Sequence, residues 1–417
     1  MEKLVIEGGN RLNGEIAIAG MKNSALPIIF SCLLIEEECI IENVPQVSDT
    51  LNALEILRGL GAEAEFCDNN TVRVNAKNAT NIIKHQNLIS KMRASSYLMG
   101  VLLARFGYVK INMPGGCNFG VRPIEQHLKG FKILGATCVE QNGEIEIKTQ
   151  KKLKSQKITL DKISVGATIN MVLASIFLNG LTIVENCAIE PHIDDLIFFL
   201  NKCGAKIVRD RRTIHIYGIK RLKGTKYKIF PDMIEALTYI CFVGVAGGNV
   251  SLKDIESSHL KYCVDIFKGM GIKIDTYNKC LNVIRDNGIN GADVITSPYP
   301  LFPTDLHPQF AALLCYTADG GSVRENIFPA RFAYVNELKK SGAKIEQIGN
   351  VAVVNKSNLI GSILDATDLR AGAALVAASL GADGISEINN VNYIVRGYED
   401  LVGKISSLGG KIKLIKN

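Results

Sequence analysis

The stretch at positions 40–62, IIENVPQVSDTLNALEILRGLGA, reads as a strand that stops at Asn43, then an amphipathic helix carrying Leu51, Leu54, Leu57 and Leu60. Gly61 follows, where a helix C-terminus needs a left-handed residue, and a β-type run comes after it. The same closing phrase returns at Gly135, Gly204, Gly271, Gly342 and Gly409, at intervals of about 70 residues. A strand ending in Asn or Asp precedes the helix in every copy. The six strands end Ile41-Glu42-Asn43, Lys110-Ile111-Asn112, Val184-Glu185-Asn186, Ser251-Leu252-Lys253-Asp254, Arg324-Glu325-Asn326 and Glu387-Ile388-Asn389. Upstream of the strand lies a helix of small and apolar residues, as in Ser24–Leu34, Ala167–Leu178 and Ala371–Leu380. A helix apolar nearly all round belongs in a core.

Six units of this length are too long for a solenoid. They predict an α/β protein of two domains, each with three units around three buried helices. One domain is expected over 22–229, with a mobile loop at 113–123. The other is expected over 1–21 and 230–417, so that two chain crossings form a double hinge around a cleft holding the active site.

The chain has 417 residues, 47% of them hydrophobic and 21% charged, enough to bury sizeable cores. Its net charge of +7 is spread over 48 basic and 41 acidic residues. A nucleic-acid binder concentrates charge and interleaves aromatics, and the densest basic stretch, Lys148–Lys157, has no aromatic residue. Eleven cysteines lack any Cys-x-x-Cys pair, which argues against a disulfide framework or zinc ribbon and for a reducing cytoplasm. The longest apolar runs, Leu26–Ile35 and Ala236–Gly247, fall short of the ~18 residues that span a bilayer, and the N-terminus lacks a signal-peptide core.

The repeat is broken once. From strand-end residue to capping glycine the count is 16 to 20 in five copies and 23 in the second. The surplus is Met113-Pro-Gly-Gly-Cys117-Asn-Phe-Gly120-Val-Arg122-Pro123, and an extra Gly- and Pro-rich loop is more often functional than structural. Cys117 at its tip is either an incidental loop thiol or a reactive one, which a cation such as Arg122 favours.

A second constellation lies at the starts of the buried helices: Lys22-Asn23, Arg93, Lys162-Ile-Ser164-Val-Gly166, Asp232, Thr304-Asp305 and Asp368-Leu-Arg370. Helix capping accounts for Ser164, Asp232, Thr304, Asp305 and Asp368 taken singly. It does not account for Lys22, Arg93 and Arg370, since a cation there opposes the helix dipole and is tolerable only if an anion intervenes or the charge is solvated. Arg331 and Arg396 sit among aromatics and need a carboxylate or ligand to justify burial.

Taken in order, Ala19-Gly20-Met21-Lys22-Asn23-Ser24-Ala25, Pro114-Gly-Gly-Cys117 with Arg122-Pro123, Ser164-Val-Gly166-Ala167-Thr168, Phe302-Pro-Thr-Asp305, Thr367-Asp-Leu-Arg370-Ala371 and Arg396-Gly-Tyr398 span the chain. They resemble the signature segments of the UDP-N-acetylglucosamine 1-carboxyvinyltransferases. The resemblance implies two inside-out α/β barrel domains of the enolpyruvyl transferase fold. It implies transfer of the enolpyruvyl group of phosphoenolpyruvate to the 3′-hydroxyl of UDP-N-acetylglucosamine in peptidoglycan synthesis, without metal or organic cofactor; the chain is expected to act in the cytoplasm as a monomer.

Carried over by position, Lys22 and Arg122 grip the donor phosphate, while Arg93, Arg331, Arg370 and Arg396 form an anionic pocket. Asn23, Pro123, Lys162, Ser164, Gly166, Asp305 and Ile327 line the nucleotide-sugar site. Cys117 is the acid and Asp305 the base or final proton acceptor. The chain departs from the family at Pro329-Ala330, at Asn118-Phe119 and at Ile124-Glu125-Gln126. Two alternatives remain: the sister family acting on shikimate 3-phosphate, which would lack the Pro-Gly-Gly-Cys loop, and a non-catalytic nucleotide-sugar binder.

Overall fold

The computed structural model describes residues 2–115, 124–150 and 152–416. All six cap glycines take the left-handed conformation, with φ of 89° at Gly61, 104° at Gly135, 100° at Gly204, 98° at Gly271, 92° at Gly342 and 89° at Gly409. Three strand-end residues are also left-handed, Asn43, Asn186 and Asp254, a conformation that short polar side chains tolerate. In the sixth copy the left-handed residue is Asn390, just past the strand Ile385–Asn389.

The described residues form two compact units, one running to Ala19 and resuming at Pro231, the other between Gly20 and Phe230. In the first, helices Met233–Ala246, His307–Leu314 and Leu369–Gly381 pack against one another. Every residue from Ile234 to Val245 is buried, which is why that helix has no polar face. In the second, helix Tyr97–Phe106 packs against Lys22–Ser31 and against Val165–Ser175.

Around each core lie three small sheets built to one plan: a parallel edge strand, the strand of the repeat, then a hairpin. Strand Asp293–Ile295 pairs in this way with Gly321–Arg324, which is followed across the sheet by Val351–Asn355 and Lys344–Ile348. The chain ends complete each other. Strand Glu2–Glu7 lies between Ile385–Asn389 and Lys411–Lys416, filling the place of a hairpin strand in the sixth copy. Leu12–Ala17 serves as the parallel edge beside Gly248–Lys253, and Lys226–Lys228 does the same beside Cys39–Glu42.

The second copy departs from the plan. Its sheet has three strands, Tyr108–Asn112, Glu144–Thr149 and Ala136–Gln141. The parallel edge is replaced by the short helix Gln86–Ile89. The Gln86 side chain accepts from the Asn112 amide at 3.0 Å and donates to the Lys110 carbonyl at 3.4 Å, so one carboxamide stands in for a strand.

Where the chain leaves and re-enters each unit, backbone pairs close it. Met21 N–H donates to the Phe230 carbonyl at 2.7 Å, and Asp232 N–H to the Ala19 carbonyl at 2.8 Å. Buried carboxylates brace both points. Asp195 accepts from the Tyr227 hydroxyl at 2.5 Å and from Phe230 N–H at 3.0 Å. Glu235 accepts from Ala19 N–H at 2.7 Å and from Lys404 Nζ at 2.6 Å.

Burial pushes the Asp195 carboxyl up to about 6, against the pull of those two hydrogen bonds. A carboxyl raised on folding binds its proton more tightly in the folded chain. Its contribution is therefore full at low pH and is lost as pH rises through the interval from about 4 to 6. Urea unfolding at intervals from pH 4 to 7 should show roughly 2–3 kcal/mol of this decline in the wild type and not in Asp195→Asn. Parallel curves for the two proteins would reject the assignment.

Candidate active site

In the unit built around helix Leu369–Gly381, Asp305 sits in a single 3-10 turn, Thr304–Leu306, ahead of the buried helix His307–Leu314. Two arginines converge on it. Arg331 Nη1 donates to Oδ1 at 2.7 Å and Arg370 Nη2 to Oδ2 at 3.1 Å. Both arginine side chains are 4% exposed while Asp305 keeps 27% of its surface in solvent, so the carboxylate forms the accessible tip of the cluster. Burial opposes its ionisation, but the charges of Arg370 and Arg331 outweigh that and hold the carboxyl far below the ordinary carboxylate range.

Arg370 is the second residue of its helix. Asp368 caps that helix, accepting from Arg370 N–H at 2.9 Å and Ala371 N–H at 3.0 Å. The anion that offsets the unfavourable dipole is thus a protein carboxylate on either side of Arg370. Arg370 Nη1 also donates to the Tyr398 hydroxyl at 3.1 Å, and Tyr398 is tied to Thr238 and Gln309 at 3.0 Å each. Arg396 ends the 3-10 turn Val391–Arg396, two residues before Tyr398, and is partly exposed. Ile327 is half-buried, with its N–H on Glu325 at 2.7 Å.

The other unit carries a second group. Lys22 opens the helix Lys22–Ser31 beside half-buried Asn23, and its Nζ meets Asp49 Oδ2 at 3.0 Å with both side chains almost wholly buried. Arg93 starts a 3-10 turn and donates to the Pro114 carbonyl at 3.3 Å. Ser164 caps its helix, accepting from Ala167 N–H at 3.3 Å, while Lys162 is exposed. Gly166 lies so close to the His127 ring that a Cβ would stand 2.8 Å from Cε1. Burial pushes His127 down to about 3, and its Nδ1 pairs with Asn170 Nδ2 at 2.8 Å. Since it is neutral, Nδ1 accepts and Nε2 carries the proton. Cys117, Arg122 and Pro123 lie outside the described residues, as does most of the loop expected at 113–123.

The structure therefore joins Asp305, Arg331 and Arg370, sets Arg396 on an adjoining turn, and joins Lys22 to a carboxylate. Capping accounts for Ser164, Asp232 and Asp368. It does not account for Thr304 or Asp305, whose side chains meet Glu325 and the arginines instead. Sequence reasoning missed Asp49, His127, Glu325 and His307. Only Glu325 had a signal, as a carboxylate inside the repeated strand-end phrase Arg324-Glu325-Asn326. Among the described residues no cluster of His, Cys, Asp and Glu has metal-binding geometry, and no helix is long and apolar enough to cross a membrane.

Comparison with known proteins bears on what this arrangement serves. Residues 6–405 match the family described as EPSP synthase (3-phosphoshikimate 1-carboxyvinyltransferase). The chain is 42% identical over 417 residues, the whole of both chains, to a UDP-N-acetylglucosamine 1-carboxyvinyltransferase of Halothermothrix orenii. It is 41% identical to UDP-N-acetylglucosamine 1-carboxyvinyltransferase 2 of Clostridium acetobutylicum over 99% of each chain. Among solved structures, the enolpyruvyl transferase NikO from Streptomyces tendae superposes with a TM-score of 0.90 at 25% identity, covering 100% of this chain and 99% of that one. An EPSP synthase from Acinetobacter baumannii shares the fold with a TM-score of 0.75 at 16% identity over all of both chains. With a match running almost from end to end, the chain belongs to the EPSP synthase family of enolpyruvyl transferases.

Proposed function

We propose that this chain transfers the enolpyruvyl group of phosphoenolpyruvate to the 3′-hydroxyl of UDP-N-acetylglucosamine, releasing phosphate, as a cytoplasmic monomer in peptidoglycan synthesis. The observation that carries this reading is Asp305 held between Arg331 and Arg370, in a chain matching full-length relatives of that name. A reducing setting is supported by ten described cysteines that are all free.

Addition to the enol needs a proton delivered to its methylene carbon and one removed from the attacking hydroxyl. Cys117 delivers the first and Asp305 takes the second. The phosphorylated ketal then loses a methyl proton as its carbon–oxygen bond to phosphate breaks. Lys22 and Arg122 stabilise the departing phosphate, and Arg331, Arg370 and Arg396 hold the donor's anionic groups. Arg93 belongs with those three arginines, and Asn23, Pro123, Lys162, Ser164, Gly166 and Ile327 hold the nucleotide sugar.

While two guanidiniums grip Asp305 it is a feeble base. A donor anion that takes over one of them raises its basicity, so donor binding activates the acceptor's base. Asp49 serves Lys22 as an internal counter-ion in the same manner.

Phosphate release by the purified protein tests the reaction, with UDP-N-acetylglucosamine and with shikimate 3-phosphate as acceptors in parallel. Release with the second alone, or with neither, would overturn the reading. Lys22→Ala should lower kcat roughly a hundredfold, since it strips a buried carboxylate of its partner as well as removing the phosphate contact. Arg396→Ala should instead raise KM for phosphoenolpyruvate at least about tenfold through the lost charge-assisted hydrogen bonds. Near-normal constants in either variant would reject its placement.

A further inference from the structure

We propose that Glu325 is a positioning residue for this site, setting the hydroxyl that aligns Arg331 on Asp305 with one carboxylate oxygen and the turn carrying Ile327 with the other. This rests on the assignment of Asp305 and Ile327 given above. Glu325 follows the strand Gly321–Arg324 and is wholly buried, as is His307. Oε1 accepts from Ile327 N–H at 2.7 Å, Phe328 N–H at 2.9 Å and the Thr296 hydroxyl at 2.8 Å. Oε2 accepts from the Thr304 hydroxyl at 2.8 Å and faces His307 Nδ1 at 3.0 Å. Five donors on one side chain require a carboxylate, because a carboxamide has a single acceptor oxygen.

The proton directions follow. Burial opposes the ionisation of Glu325, but hydrogen bonds from His307, Phe328 and Thr304 prevail and bring its carboxyl down to about 2. Burial also pushes His307 below its ordinary value, so the ring is neutral. Its Nδ1 donates to Glu325, and its Nε2 accepts from the Tyr334 hydroxyl at 2.7 Å. Thr304 has one proton and commits it to Glu325. A lone pair is thereby turned toward Arg331 Nη1, 2.9 Å away, the same nitrogen that holds Asp305. A Thr304 hydroxyl free to rotate could present its proton to that guanidinium instead.

The two branches meet at one group. Arg331 N–H donates to the Phe328 carbonyl at 2.9 Å, and its guanidinium lies 5.0 Å from the centroid of the Phe328 ring. The base and the turn bearing the nucleotide-sugar contact are therefore fixed by opposite faces of one buried anion. Glu325 thus acts through Thr304, Ile327 and Arg331.

Steady-state phosphate release by the full chain, with phosphoenolpyruvate saturating and UDP-N-acetylglucosamine varied, separates the branches. Thr304→Val should lower kcat about tenfold or more while leaving KM for the nucleotide sugar within about twofold. Thr304→Ser, which restores the hydroxyl, should remain within about threefold of wild type in both constants. Glu325→Gln should lower kcat by at least as much as Thr304→Val and also raise that KM about fivefold or more. A Thr304→Val enzyme with wild-type kcat, a Thr304→Ser enzyme as impaired as Thr304→Val, or a Glu325→Gln enzyme with unchanged KM would overturn the proposal. If Glu325→Gln does not fold, the Thr304 pair still decides. A wild type that releases no phosphate rejects the reading of the site itself, a result distinct from an active wild type with indifferent variants.

Discussion

Asp305→Asn is expected to turn over at least about a thousandfold more slowly than wild type, at the upper end of what general acid–base catalysis contributes. A carboxamide cannot take the acceptor's proton, and its amino group would face one of the two guanidiniums. Stability should fall as well. Arg331 and Arg370 are each 4% exposed and lose their shared counter-ion. Stripping a buried charge of its partner costs about 3–5 kcal/mol, and the 27% exposure of Asp305 places the loss toward or below the lower figure through solvent screening.

The pH behaviour provides an independent check. Since both arginines hold the Asp305 carboxyl far down, its protonation cannot produce an acid limb near neutrality in the free enzyme. Single-turnover rates and urea unfolding of Asp305→Asn test both effects. Activity within tenfold of wild type would remove Asp305 from the chemistry.

Cys117 carries the second large effect. As an acid on a loop it is replaceable by another group of suitable reach and pKa; as an obligatory nucleophile it is not. Cys117→Ala should lose most turnover, about a hundredfold or more. Cys117→Asp should keep substantial activity with its pH optimum moved down, because a carboxyl titrates below a thiol. Fosfomycin should alkylate and inactivate the wild type alone. Most of the other thiols are poor competitors: burial pushes Cys187, Cys263 and Cys315 up to about 12 and Cys138 up to about 11, while Cys39, drawn down by hydrogen bonds from Cys203 and Cys32, is shielded by complete burial. Cys67 is exposed and serves as the internal control. Mass spectrometry after fosfomycin, with pH profiles of both variants, decides the matter. A dead Asp variant beside a live Ala variant would refute the acid role, and a label on Cys67 would refute the site.

Much of the architecture could be read from the chain because its cause is local. A glycine after an amphipathic helix is demanded by backbone sterics, and all six cap positions are left-handed. The apolar helices were recognisable since a segment without a polar face has nowhere to go but a core. The replaced edge strand of the second copy was not legible, because nothing in Gln86 itself announces that its carboxamide will pair with Lys110 and Asn112.

The site divides in the same way. Cations at helix starts conflict with the dipole, and that conflict singled out Lys22 and Arg370 as residues needing an anion or solvent; each has a carboxylate partner. Their anions, Asp49 and Asp305, are joined to them by tertiary packing across 27 and 65 positions. Sequence spacing carries no trace of such pairs. Taken singly, Thr304 and Asp305 passed as caps for the opposite reason: the local explanation was adequate and the distant partners prevailed, so that only the family resemblance marked Asp305.

The closure of the backbone at Ala19–Asp232 and at Met21–Phe230 has a consequence for how such a gene can be handled and inherited. Segment Gly20–Phe230 leaves its host and returns at neighbouring points, so it has the connectivity of a guest domain whose two ends meet. The host's cut ends face each other in turn. Joining Ala19 to Pro231 through a short linker, or circularly permuting the guest across Met21 and Phe230, interrupts no sheet and no core helix. Recombination at these two codons would exchange one half of the protein as an intact module and leave the other half's core as it was.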